Sequence, residues 1–345
     1  MSEIDYVSDG YKELFGDSDF KISALPRSGS DRKYFRIMSG DKTLIGAFNP
    51  NQEENEAFIG FTHHFISKGL PVPEISGYIP EKNIYFLNDL GDTNLYTWIH
   101  NKLPFEGFDN QANLLFCKII DNLILFQTKG IEGLNLELCY PHKSFDRQSM
   151  MWDLNYFKYM FLKLVSVPFN ERKLENDFNE LSDYLLTAGQ NYFLYRDFQS
   201  ANIMVVKDDP WFIDYQGGRK GAPQYDLASF LYDAKIPLEQ NIREKYLDYY
   251  VDKFCEISGE NQEDFRGYYT GFTMIRLMQA LGAFSFRGLY ENKPTFAETI
   301  VPAVRLFLQV INAAETNLIL PELYATIRLI TGTKVFTKLQ DSHKK

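Results

Sequence analysis

Tyr195-Arg196-Asp197-Phe198-Gln199-Ser200-Ala201-Asn202, followed twelve residues after Asn202 by Asp214 in Phe212-Ile213-Asp214-Tyr215, is the stretch from which this 345-residue chain is read. An aspartate, an asparagine five positions on and a second aspartate beyond a short apolar strand match the base and magnesium ligands of kinase-like phosphoryl transfer. A sugar or alcohol hydroxyl is a weak nucleophile, and a carboxylate at Asp197 can position it and take its proton. Asn202 and Asp214 supply oxygen ligands, which suit Mg²⁺, an ion that keeps waters and shares phosphate oxygens. Arg-Asp alone would read as a capping turn; the three residues in this order and spacing read as a site. Ile203-Met204-Val205-Val206 and Trp211-Phe212-Ile213 form two apolar strands around Lys207-Asp208-Asp209-Pro210. Such a hairpin brings Asn202 and Asp214 to one end. The expectation is an ATP-dependent, Mg²⁺-dependent kinase.

Working outward, Phe20 to Phe48 reads as short strands with tight turns: Lys33 to Met38 alternates, Gly40-Asp41 turns, and Thr43 to Phe48 follows. A helix is expected from about Gln52 to Lys68, with Ala57, Phe58, Phe61, Phe65 and Ile66 on its apolar stripe. Two more strands bracket Glu81-Lys82-Asn83. After Gly91 the pattern turns helical, with candidates at 109–128, 146–164, 173–186, 225–234, 240–257, 263–290 and 295–318, broken by strands between Tyr192 and Asp214. The fold class is therefore α+β, a protein-kinase-like two-lobed fold. Residues 1–90 are a small strand-rich N-lobe for the nucleotide, and 91–345 are a large, mainly helical C-lobe for catalysis and the acceptor.

The net charge of −10 argues against a protein that works by neutralising nucleic-acid backbone. Cys117, Cys139 and Cys255 are widely spaced and read as reduced thiols. His63 and His64 are adjacent, about 100° apart on a helix, and no zinc site is expected. The first residues lack a signal-peptide layout, and no stretch approaches the ~20 uninterrupted apolar residues of a membrane span. A cytoplasmic, soluble protein with a small-molecule partner is expected, with no nucleic-acid or membrane partner.

The block from Tyr195 to Met204, with Ile213-Asp214-Tyr215-Gln216-Gly217-Gly218-Arg219 and Gln224-Tyr225-Asp226-Leu227-Ala228-Ser229, resembles the aminoglycoside phosphotransferase and choline kinase superfamily. Within it the chain looks most like the branch of cell-wall amino-sugar kinases acting on N-acetylmuramate and N-acetylglucosamine at the anomeric position. Arg27 to Arg36 looks like that branch's first hairpin, Phe86 to Asp92 its hinge, and Met278 to Gly288 its late helix. The resemblance runs from about Leu25 to Val310. It implies Asp197 as catalytic base, Asn202 and Asp214 as magnesium ligands, and Asp226 as a brace for the catalytic segment. As read from its own position, Asp226 caps free N–H groups at a helix start. By the resemblance Ser28 and Ser30 would lie over the nucleotide phosphates, while on its own the Ser28–Asp31 stretch reads equally as an ordinary hairpin turn; the hinge at Asn88 and Leu90 would offer backbone groups to adenine.

The chain departs from the family in three places. Tyr195 stands where a histidine is usual, Ala201 where this branch often has arginine, and Thr43 to Phe48 lacks the strand lysine that pairs with nucleotide phosphates. Lys33, Arg32 and Lys42 are alternative sources of that charge. Glu56 is either the helix glutamate that organises such a site or a solvated side chain. For the acceptor, Gln199 and Gln216 can both donate to and accept from sugar hydroxyls. Arg219 either meets a substrate carboxylate or pairs with a local acid. Asp153 reads as a solvent-exposed helix aspartate. Other readings are an aminoglycoside kinase, a choline-type kinase with an aromatic cage, and a non-catalytic sugar-sensing adaptor.

Overall fold

The alternation from Lys33 to Phe48 becomes the middle of an antiparallel sheet in a computed structural model, which describes residues 2–26, 32–106, 108–313 and 318–343. In chain order the elements begin with α1 (Glu3–Phe15), β1 (Lys21–Ala24), β2 (Lys33–Ser39), β3 (Lys42–Phe48), α2 (Gln52–Ser67), β4 (Ile75–Ile79) and β5 (Ile84–Asn88). They continue with α3 (Leu95–Glu106), α4 (Asn110–Thr128), α5 (Arg147–Phe157), α6 (Glu171–Leu185), β6 (Tyr192–Leu194), β7 (Ile203–Val206), β8 (Asp209–Phe212) and β9 (Arg219–Gly221). Then come α7 (Gln224–Leu231), α8 (Gln240–Ser258), α9 (Gln262–Ser285), α10 (Pro294–Ala313), α11 (Pro321–Leu329) and α12 (Lys334–His343). A strand-rich N-terminal sheet precedes a large helical part. The elements gather into two compact units, one of Met1–Lys143 with Ala201–Gly218, the other of Ser144–Ser200 with Arg219–Lys345.

In the first unit the strands run in the order β1-β2-β3-β5-β4, all neighbours antiparallel. β5 is buried along Ile84-Tyr85-Phe86-Leu87 because both its faces are covered. Ile84 and Phe86 pack with Val7 and Tyr11 of α1, while Tyr85 stacks on Phe58 of α2 at 5.0 Å. Gly46 of β3 permits the close approach of α1, since a Cβ there would fall 2.5 Å from Val7 Cγ1. α1 has its own start and stop signals: Ser2 and Asp5 form a capping box, and Gly16 closes the helix at φ 66°. It was not anticipated from sequence, nor were α3, α11 and α12.

The second unit is built on α9, whose residues from Phe272 to Met278 are all buried because helices surround it. Leu154 and Phe157 of α5 and Ile300, Val304 and Phe307 of α10 belong to the same core. Gly282 lets α5 close on α9; a Cβ there would sit 3.1 Å from the Phe157 backbone nitrogen. The helices expected at 146–164 and 263–290 are each α-helix followed by a π-helical turn, Lys158–Leu162 after α5 and Phe286–Tyr290 after α9. α10 is long and apolar enough to cross a membrane by length and composition, although Glu298 and Arg305 interrupt its apolar run. Here its Ile300, Val301, Val304, Phe307, Val310 and Ile311 face the core.

Candidate active site

Asp197 stands on a short segment that other carboxylates pin from beneath. Asp226, fully buried in α7, accepts the backbone N–H of Tyr195 at 2.7 Å and of Arg196 at 2.9 Å. It therefore braces the segment as the resemblance implied. α7 starts just after Pro223, whose side chain offers it no cap, and the two Asp226 oxygens are each taken by one of these amides. Farther on, Asp233 accepts from Ser200 through both the amide, at 3.0 Å, and the hydroxyl, at 2.6 Å. Between these anchors Tyr195 and Phe198 are buried edge to face at 5.2 Å, and Asp197 stays half-exposed.

Arg196 adds a third anchor. Its backbone has φ 82°, the left-handed region that costs a residue with a Cβ. Its guanidinium makes a fork with Asp153 at 2.6 and 2.7 Å, donates to the Tyr225 hydroxyl at 2.9 Å and lies over the Phe145 ring at 5.1 Å. Burial opposes its charge, but Asp153 above all favours it, and the guanidinium is held protonated more firmly than usual. Asp153 is thus not the solvent-exposed helix residue expected. It is buried, and on α5 it falls in phase with Met150, Leu154 and Phe157 of the core.

The hairpin brings the candidate metal ligands Asn202 and Asp214 together. β7 and β8 pair Ile203 with Phe212, and Lys207 and Asp208 turn with φ 51° and 66°. The Ile213 amide then donates to the Asn202 carbonyl at 3.1 Å, and Asn202 Nδ2 reaches Asp214 Oδ2 at 3.3 Å. One amide and one carboxylate at the same strand end are an oxygen donor set that fits Mg²⁺, with phosphate and water completing the shell. Gln216, expected at the acceptor, donates Nε2 to Asp214 Oδ1 at 2.8 Å. Beneath them Tyr215 stacks on Phe58 at 5.1 Å and shares a 2.5 Å hydrogen bond with Thr62, with burial pushing its hydroxyl pKa up.

Arg32 also reaches this cluster. Its side chain is 2% exposed, with Nη2 on Glu54 at 3.1 Å and Nη1 3.8 Å from Asp214 Oδ1. Burial works against its charge; Tyr85, Tyr34 and Asp214 outweigh it, and the guanidinium stays cationic. Glu56, the residue singled out on this helix, is exposed and accepts from Gln52, so its solvated reading stands. Glu54 was missed, although it is four residues before Phe58 and seven before Phe61, in phase with the buried stripe.

Of the other expected residues, Ser28 and Ser30 lie outside the described residues. Asn88 ends β5, where its side chain accepts the Glu74 amide at 2.8 Å, and Leu90 follows it half-buried. The neighbouring Asp89 makes a fork with Arg36 at 2.6 and 3.0 Å. Gln199 lines a small cleft of about 10 Å³ with Ser229, Asp233, Arg276 and Phe284. Arg276 donates Nε to Ser229 at 2.9 Å and Nη1 to Gln279 at 2.7 Å. It precedes by two residues the Met278-Gln279 stretch noted in the sequence. Arg219 is buried in β9, paired across from Leu194, and is not among the residues lining that cleft.

Comparison with known proteins gives the family and the fold. The pattern of the phosphotransferase enzyme family (APH) matches residues 21–260. An N-acetylmuramate/N-acetylglucosamine kinase of Neisseria meningitidis serogroup B is 24% identical over 230 residues, 66% of each chain. The chain thus spans a little under two thirds of that relative's length. Among solved structures, a thermostable aminoglycoside phosphotransferase APH(4)-Ia in ternary complex with AMP-PNP and hygromycin B aligns with TM-score 0.55 and 15% identity over 90% of this chain and 99% of that one. A Plasmodium vivax ethanolamine kinase aligns with TM-score 0.58 and 14% identity over 87% and 84%.

Proposed function

Because this chain belongs to the phosphotransferase enzyme family, we propose that it is an ATP-dependent kinase for a sugar hydroxyl, acting on an amino sugar of the N-acetylmuramate or N-acetylglucosamine class. The observation that carries the reading is the Asn202–Asp214 pair at one hairpin end, in a chain with Asp197 five residues before Asn202. The amino-sugar class rests on the similarity to the Neisseria enzyme.

In this reading Asp197 accepts the proton of the acceptor hydroxyl as its oxygen bonds to the γ-phosphorus and the bond to the β-phosphate oxygen breaks. Bound Mg²⁺ would neutralise charge on the transferring phosphates. Asn202 and Asp214 would hold the ion, and Gln216 fixes the Asp214 carboxylate by its hydrogen bond. Residues 1–90 would supply groups to the nucleotide, with the hinge at Asn88 and Leu90 facing adenine. Residues 91–345 would carry the base and the acceptor groups, with Gln199 at the sugar and Arg219 a further candidate. The cytoplasm, where ATP is abundant, is the proposed compartment.

The test is phosphate transfer from Mg-ATP across N-acetylmuramate, N-acetylglucosamine, glucosamine, kanamycin and choline, with Asp197→Asn as control. Turnover on an amino sugar is expected, reduced about 10²–10⁴-fold in the variant. Turnover only on kanamycin or choline would replace the substrate class. Silence on all five with ATP still bound would favour the sensing adaptor.

A further inference from the structure

Phosphate chemistry needs a fixed positive charge, and β3 supplies none within its span, since its one lysine, Lys42, is exposed at the first position. Lys33 is paired with Glu3. Among the described residues, Arg32, immediately before β2, is a buried cation beside the Asn202–Asp214 pair. Its Nη2 bonds Glu54 at 3.1 Å, and its Nη1 donates to the Tyr34 hydroxyl at 3.3 Å. Its guanidinium lies 5.9 Å over the Phe58 ring. Glu54 is itself held, accepting from Asn49 Nδ2 at 2.8 Å, while its backbone amide is capped by Asn51 at 3.2 Å. Both charges therefore sit on prepared supports, which lowers the cost of ordering them around a ligand.

Two features of Arg32 go beyond a structural ion pair. Among the described residues its buried Nε has no hydrogen-bond partner, a costly state for a charged group unless something else accepts from it. Its Nη1 lies 3.8 Å from Asp214 Oδ1, too far for a hydrogen bond but close enough for strong charge coupling. Glu54 and Asp214 together exceed the charge of one guanidinium by one unit. With a divalent cation held at Asp214 that balance would reverse and the cluster would be net positive, which suits a polyphosphate.

We propose that Arg32, held in place by Glu54, binds the phosphate oxygens of the nucleotide and supplies the cation that β3 lacks. This rests on the kinase reading above. It assigns Glu54 as a positioning residue, acting on phosphate only through Arg32.

The test is calorimetric titration of the full chain with Mg-ADP and, separately, with adenosine, on wild type, Arg32→Gln, Arg32→Lys and Glu54→Gln. Arg32→Gln is expected to weaken Mg-ADP about 10–100-fold, the worth of a lost charge-assisted contact, and to leave adenosine within about twofold. Arg32→Lys keeps the charge without the fork and should weaken Mg-ADP by a smaller factor, again sparing adenosine. Glu54→Gln should fall between wild type and Arg32→Gln. Should Arg32→Gln fail to fold, the Arg32→Lys and Glu54→Gln comparisons decide alone. Equal weakening of Mg-ADP and adenosine, or no change in either, would overturn the assignment and leave Arg32 a structural ion pair. A wild type that binds adenosine as tightly as Mg-ADP would instead overturn the kinase reading.

Discussion

Arg196 shows how much structure is spent on placing one neighbouring carboxylate. Its left-handed backbone, φ 82°, costs roughly 1–3 kcal/mol, and the fork to Asp153 together with the two amide bonds into Asp226 holds it there. Removing one partner of a buried pair leaves an uncompensated charge, so Asp153→Ala should lower the unfolding free energy by about 3–5 kcal/mol. Urea denaturation checks this; a change below about 1 kcal/mol would mean the fork contributes little. The hairpin that brings Asn202 and Asp214 together was legible from its two apolar strands and the turn residues between them. The supports of the Asp197 segment were not, because Asp153 and Arg196 are distant in sequence and each alone looks like a surface charge. Phase was the overlooked signal: Asp153 and Glu54 both fall on buried helical stripes, where an acid implies a partner.

At the scale of elements, α11 starts at Pro321 without a side-chain cap of its own. Asp177, reaching over from α6, accepts the Leu323 amide at 2.7 Å and fills that role. Burial raises the Asp177 pKa above its ordinary 3.8, more than the amide bonds from Leu323 and Glu322 lower it. A carboxylate whose folded pKa is raised contributes no penalty below 3.8 and costs stability as pH rises from there through the folded value. Asp177→Asn should therefore keep the cap and abolish that loss, gaining on the wild type as pH rises. Asp177→Ala should instead lose about 1 kcal/mol of capping. Thermal melts of the three proteins from acid to neutral pH separate these outcomes. A wild type and Asp177→Asn with parallel pH curves would refute the burial effect. The sheet and the long helices were legible from period and turn residues. α11 was not, because its start is satisfied by a residue far away in sequence, and the π-helical turns after α5 and α9 carry no distinctive composition.

For the whole molecule, anything bound by the folded state alone adds to its stability. Mg-ADP at a hundred times its dissociation constant should add about 2.7 kcal/mol, and chelating the metal should remove most of it. Asn202→Ala and Asp214→Asn should each blunt the gain, read as the shift of the unfolding midpoint with nucleotide. A gain independent of metal would count against the Asn202–Asp214 assignment. The division of the chain was the least legible property, since contacts, unlike residue patterns, ignore sequence order. The first unit takes back Ala201–Gly218 after the second has begun. That return is stitched in by the Phe212 amide on the Pro71 carbonyl, the Val205 amide on the Thr93 carbonyl and Lys118 on Asp209. The interleaving has a genetic consequence. A crossover that replaced everything up to residue 143 with a cousin's sequence would import one half of these matched pairs and strand the other. Lineages carrying this arrangement should diversify by single substitutions, and viable chimaeras should retain residues 201–218 from the same parent as 1–143.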